Sequence, residues 1–106
     1  MNKEEFFEYV DEGISVVDFF AEWCSPCKGQ AVVINGLEKD NSMSNIKFLK
    51  LDVDKSDHNI ADGFEIKSIP TVIIFNNGQE EYRFVGITNA NILTKVIKKI
   101  KNNPTE

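Results

Sequence analysis

The sequence predicts an α/β protein: a central four-stranded mixed sheet flanked by helices. Three observations carry that expectation. Short, nearly continuous apolar runs (14–20, 46–53, 71–75) alternate with segments patterned at helical spacing. An Asn76-Asn-Gly78 turn signal joins the third run to a fourth, 79–85. An amphipathic helix then closes the chain. The order α-β-α-β-α-β-β-α means crossover connections first and an antiparallel hairpin last. A chain of 106 residues is expected to form one domain, 1–106, with a single core and no need of staples.

Asn2 to Glu12 reads as a short helix, with Asn2 as cap, Glu5 completing a capping box, and Phe6, Phe7 and Val10 on one face. Gly13 ends it. Ile14 to Phe20 is apolar and β-branched throughout except at Asp18, as expected of a strand covered on both faces. From Cys24 to about Asp40, Cys27, Ala31, Ile34 and Leu37 recur at helical spacing, and 41–45 is a loop. Ile46 to Val53 is the second strand, and Ser56 to Asp62 a short helix stopped by Gly63. Ile92, Leu93, Val96, Ile97 and Ile100 draw the last helix, with Lys98, Lys99 and Lys101 near its negative end. Asn102 to Glu106 is expected to fray.

Composition narrows the function. The net charge of −5 disfavours nucleic acid and anionic membrane as partners. The polar, acidic start Met1-Asn-Lys-Glu-Glu lacks the basic and apolar regions of a secretion signal, so cytoplasm is the default expectation. Only two cysteines exist, Cys24 and Cys27, so a bridge between them closes a tiny loop and adds little chain-entropy stability. Its purpose is chemical. Two structural cysteines or half a zinc site are the bland alternatives, but zinc wants about four ligands and the chain holds one histidine, His58, and no third Cys.

The most informative stretch is Val16-Val-Asp-Phe-Phe-Ala-Glu-Trp-Cys-Ser-Pro-Cys-Lys28, a strand, a tight turn, a C-x-x-C pair and a helix start. It resembles the thioredoxin family motif Asp-Phe-Trp-Ala-x-Trp-Cys-Gly-Pro-Cys-Lys at Asp18, Phe19, Ala21, Trp23, Cys24, Pro26, Cys27 and Lys28. Phe20 departs where Trp is usual, and Ser25 where Gly is usual. The resemblance continues through Ile69-Pro70-Thr71, Asn77-Gly78 and Val85-Gly86, and so covers nearly the whole chain. It implies a thioredoxin-like fold with strand order 46–53, 14–20, 71–75, 79–85. The family's N-terminal edge strand has no residues here to form it. Strand 46–53 then becomes an edge, where Lys47 would deter edge-to-edge pairing. Val32 stands where the family commonly has a kinking proline, so the main helix is expected to be straighter, or bent at Gly29.

At a helix start Cys24 meets unpaired N–H groups and a dipole that favour a thiolate. It is the expected nucleophile, with Cys27 one turn on as the resolving thiol and Pro26 holding the pair's geometry. Ser25 is placed for its hydroxyl or its N–H to face the Cys24 thiolate. Desolvation of Asp18 should raise its pKa, and the resemblance implies that it helps to deprotonate Cys27. The resemblance also implies that Lys50 tunes Asp18, while a snorkelling strand lysine is the plain alternative. Ile-Pro-Thr ahead of a strand is trans by default; the resemblance implies a cis Pro70 laid against the cysteines. Trp23, Pro26, Ile69, Pro70, Val85, Gly86 and Val53 would then form an apolar docking rim.

The implied activity is that of a protein dithiol–disulfide oxidoreductase, catalytic through Cys24, Cys27, Asp18 and Lys50. It would need no cofactor or metal, act as a monomer on disulfide-bearing proteins, and be recycled by a thioredoxin reductase. A non-catalytic interaction module or accessory subunit is the alternative, and an oxidase or isomerase of similar fold a third. The intact cysteine pair argues against the first of these. The Ser-Pro between the cysteines argues against the second, being closer to the reductase Gly-Pro than to Pro-His or Gly-His.

Overall fold

The computed structural model describes residues 1–102. Its elements are α1 (Lys3–Val10), β1 (Ile14–Phe20), α2 (Ser25–Glu38), a 3-10 turn (Asn41–Met43), β2 (Lys47–Asp52), α3 (His58–Gly63), β3 (Thr71–Asn76), β4 (Gln79–Val85) and α4 (Ala90–Asn102). The sheet order is β2-β1-β3-β4, with β1 and β2 parallel and the other two pairs antiparallel. The expected fraying of 102–106 falls, beyond Asn102, outside the described residues.

Strand alternation divides the core into two layers. Val16, Val72 and Ile74 pack with Ile34, Leu37, Leu93 and Ile97 under α2 and α4. Their sequence neighbours Val17, Ile73 and Phe75 point the other way and pack with Phe6, Val10 and Ile60 of α1 and α3. This is why β1 and β3 read as unbroken apolar runs: each is covered on both faces. Phe64, just after α3, adds edge-on contacts to Phe6 and Phe75, with ring centroids 5.6 and 5.4 Å apart.

The ends of elements follow local chemistry. The Asn2 side chain accepts from Glu5 N, and Glu5 Oε1 accepts from Asn2 N, both at 2.8 Å, so the capping box is complete. Asn77 and Gly78 both have positive φ, the twist a two-residue hairpin needs. α3 starts later than the sequence indicates, because Asp57 is its cap and accepts from Asn59 N at 3.0 Å. The interval after α2 contains a 3-10 turn rather than only a loop, capped by Asp40.

One further expectation changes. The buried stripe of α2 is Cys27, Gln30, Ile34 and Leu37, with Ala31 only half-buried. The Lys47 ammonium donates to the Tyr9 carbonyl and sits 5.1 Å from the Tyr9 ring centre, tying β2 to α1. α2 runs unbroken through Gly29 and Val32.

Candidate active site

The turn between β1 and α2 brings the two cysteines to one point. Cys24 is the N-cap of α2, in extended conformation, and its Sγ accepts from the Cys27 amide at 3.2 Å. A cap donor aimed at sulfur stabilises negative charge there once the thiolate exists. Cys24 and Cys27 are joined as a disulfide with Cα atoms 5.3 Å apart, an ordinary bridging separation. Pro26, in the first turn of α2, needs no N–H partner there. Ser25 and Pro26 are exposed, and the donor to Cys24 Sγ in this oxidised state is the Cys27 amide rather than Ser25.

Both cysteines are nearly buried, packed with Ala21 against Phe20, Val53 and Ile69. The Ile69–Pro70 peptide is cis, and the Ile69 carbonyl oxygen lies 3.8 Å from Cys24 Sγ. Gly86 N donates to the Pro70 carbonyl at 2.9 Å, which brings the end of β4 to the same rim. Gly86 has φ +92°, a conformation that a side chain would strain. Around this rim Trp23 is 73% exposed and Val85 66%. Trp23 and Val85 thus put exposed apolar surface beside the disulfide.

Asp18 shares the strand parity of Val16 and so faces the side of the sheet that α2 covers. It is 1% exposed, and neither carboxylate oxygen has a hydrogen-bond partner among the described residues. Burial pushes its pKa up to about 6, with the charge of Lys50 partly offsetting that rise. Lys50 is its register partner on β2 but is exposed, and its ammonium donates to Asn35 Oδ1 of α2 at 2.6 Å.

Three residues of this region escape sequence reasoning. Asp54, beyond β2, accepts from Trp23 Nε1 at 2.8 Å, and both residues line a cleft of about 360 Å³. Nothing local marks that carboxylate. Gln30 and Thr88 form the other pair: Gln30 is fully buried, and both its amide atoms bond to the Thr88 backbone. A polar residue on the apolar stripe of α2 was the available signal. Among the described residues, no group of three or more His, Cys, Asp or Glu is placed to hold a metal ion. No described helix is long and apolar enough to cross a membrane.

Comparison with known proteins agrees with this geometry. The family model described as Thioredoxin matches residues 1–99. The thioredoxin of Chlamydia trachomatis is 36% identical over 99 residues, covering 93% of this chain and 94% of that protein. The thioredoxin of Staphylococcus saprophyticus is 41% identical over 95 residues, covering 89% and 88%. Among solved structures, Malassezia sympodialis thioredoxin superposes with a TM-score of 0.83 at 29% identity, covering 92% of this chain and 87% of that one. By sequence, fold and a closely spaced cysteine pair at a helix start, the chain belongs to the thioredoxin family, whose members are disulfide oxidoreductases acting by thiol–disulfide exchange.

Proposed function

We propose that this chain is a general protein-disulfide reductase in which Cys24 attacks and Cys27 resolves. The observation that carries the assignment is Cys24 at the N-cap of α2 with an amide directed at its sulfur. The Cys24 thiolate attacks one sulfur of a substrate disulfide, forming a mixed disulfide and releasing one substrate thiolate. Cys27, as thiolate, then attacks Cys24 Sγ, releases the second substrate thiol and leaves the Cys24–Cys27 disulfide. Two electrons pass to the substrate. A thioredoxin reductase returns them through its own dithiol, so the chain itself needs no cofactor.

The other site residues take supporting roles. Asp18, buried on the sheet face under α2, receives the proton that Cys27 must lose, and Lys50 tunes it through its charge. Trp23, Ser25, Pro26, Ile69, Pro70, Val85 and Gly86 form the surface on which substrate backbone lies. The chain acts as a single domain and a monomer, in the cytoplasm. Insulin reduction with dithiothreitol as electron source is the direct test. Faster precipitation of the insulin B chain is expected, and no acceleration would point to a binding module instead.

A further inference from the structure

We propose that Gln30 is a positioning residue for substrate recognition, clamping the loop that follows β4 onto the helix that carries the cysteines. The proposal rests on the reading of the site as a protein-disulfide reductase. Gln30 Nε2 donates to the Thr88 carbonyl at 3.0 Å, and Gln30 Oε1 accepts from Thr88 N at 2.7 Å. Both atoms of the amide are used on the backbone of one residue, as a neighbouring strand would use them. The polarity of the backbone fixes which atom is which, because the flipped amide would set donor against donor and acceptor against acceptor.

Adjacent residues support the same contact. Gly29 has no side chain, and Ile87 Cδ1 lies 3.6 Å from where its Cβ would stand, so Ile87 rests on α2. Thr88 Oγ1 donates to the Gly86 carbonyl at 3.3 Å, and Gly86 N donates to the Pro70 carbonyl. Ile69 O in turn approaches Cys24 Sγ. The contacts therefore close a ring: α2, Thr88, Gly86, Pro70, Ile69, and back to α2 at Cys24. Gln30 is the one side chain in that ring that is fully buried, polar and satisfied only by the loop.

The consequence is preorganisation. Val85 and Ile87 present 66% and 57% of their surface to solvent, on a connection that would otherwise pay its ordering cost when substrate binds. Without the Gln30 amide, Thr88 N–H and C=O lose their partners inside the protein. The loop then has to lift toward water to satisfy them, and Val85 and Gly86 move with it. Cys24 and Cys27 keep their own cap bond and stay reactive.

The test compares two substrates in Gln30→Met, which keeps length and volume but loses both hydrogen bonds. For a folded protein disulfide, KM should rise about tenfold, a loss of about 1.4 kcal/mol of binding, with kcat little changed. Reduction of hydroxyethyl disulfide, too small to use the rim, should stay within about twofold of the parent rate. Hydrogen exchange at the Thr88 amide should accelerate. Equal losses on both substrates, or no change on either, would overturn the clamp. If Gln30→Met fails to fold, Gln30→Leu, which is shorter and likewise makes neither bond to Thr88, is measured the same way. The small disulfide also separates the two readings: a parent protein that cannot reduce it fails as a reductase, whatever Gln30 does.

Discussion

Asp18 on β1 lies beside Lys50 on β2 as its register partner, yet the Lys50 ammonium goes to Asn35, and both Asp18 oxygens lack a hydrogen bond among the described residues. A carboxyl so placed has its charged form penalised, and its pKa stands near 6 against an ordinary 3.8. The folded state therefore binds more protons than the unfolded chain between those values. Asp18 costs nothing below about pH 4; stability falls as pH rises through 6, and the penalty is constant above.

Asp18→Asn should accordingly be more stable than the parent above pH 6, by up to about 3 kcal/mol if the amide is tolerated as well as the neutral acid. The advantage should vanish by about pH 4. Urea melts across that range measure it. The same variant should reduce insulin more slowly at neutral pH, because no carboxylate remains to accept the Cys27 proton, and the deficit should shrink below about pH 6, where the parent's Asp18 is protonated as well. Lower stability with unchanged rates would mark Asp18 as structural only.

Cys27→Ser should accumulate mixed disulfides through Cys24, whereas Cys24→Ser should accumulate none. Cys24 carries the cap bond from the Cys27 amide, a backbone donor that survives in the serine variant, so the attacking thiol is undisturbed. What is lost is the thiol that releases product. Mass spectrometry after exposure to a disulfide-bearing protein reads the adducts, and comparable trapping by both variants would reverse the assignment.

Trp23 is the chain's one tryptophan, and its indole is held by Asp54. Asp54→Ala should release the ring, lowering its fluorescence anisotropy. It should also raise KM for protein substrates by about two- to fivefold, as loss of one hydrogen bond to a charged group at an exposed site implies. Asp54→Asn keeps an acceptor oxygen and should lie between. Unchanged anisotropy in the alanine variant would show that packing alone orients the indole.

Much of this fold was legible because its signals are local. Asn2 and Glu5 announce a capping box, Asn77-Gly78 a hairpin, and the unbroken run of β1 a strand buried on both faces. The cysteine pair and its flanks likewise form one contiguous motif. The parts that sequence misplaced depend on partners distant in the chain. The contact of Lys47 with Tyr9 joins residues 38 apart, and nothing within β2 announces it. Ala31 and Gln30 compete for the α2 stripe, and hydrophobicity favours the wrong one. Only Thr88, 58 residues on, makes a buried glutamine reasonable. Asp54 is one of several acidic residues after β2, and nothing short of the structure selects it for Trp23.

Ser25 stands at the first residue of α2, where the family motif has glycine. Its side chain is exposed, and in the disulfide form the Cys27 amide is the donor to Cys24 Sγ. Reduction frees that sulfur and gives it a charge, and the Ser25 hydroxyl is adjacent in sequence and unencumbered by burial. A hydrogen bond to a charged acceptor contributes roughly 1.5 kcal/mol, less where water competes. Since the thiolate exists only in the reduced protein, the bond favours reduction and makes the couple more oxidising. For a two-electron couple about 1.4 kcal/mol is 30 mV, so a solvent-exposed bond corresponds to roughly 10–30 mV. Ser25→Gly should lower the reduction potential by that amount, as read by equilibration against glutathione or a reference dithiol. The helix-propensity difference between the residues acts in both redox states and cancels from the potential. An unchanged or higher potential in the glycine variant would mean that the Cys27 amide alone serves the sulfur.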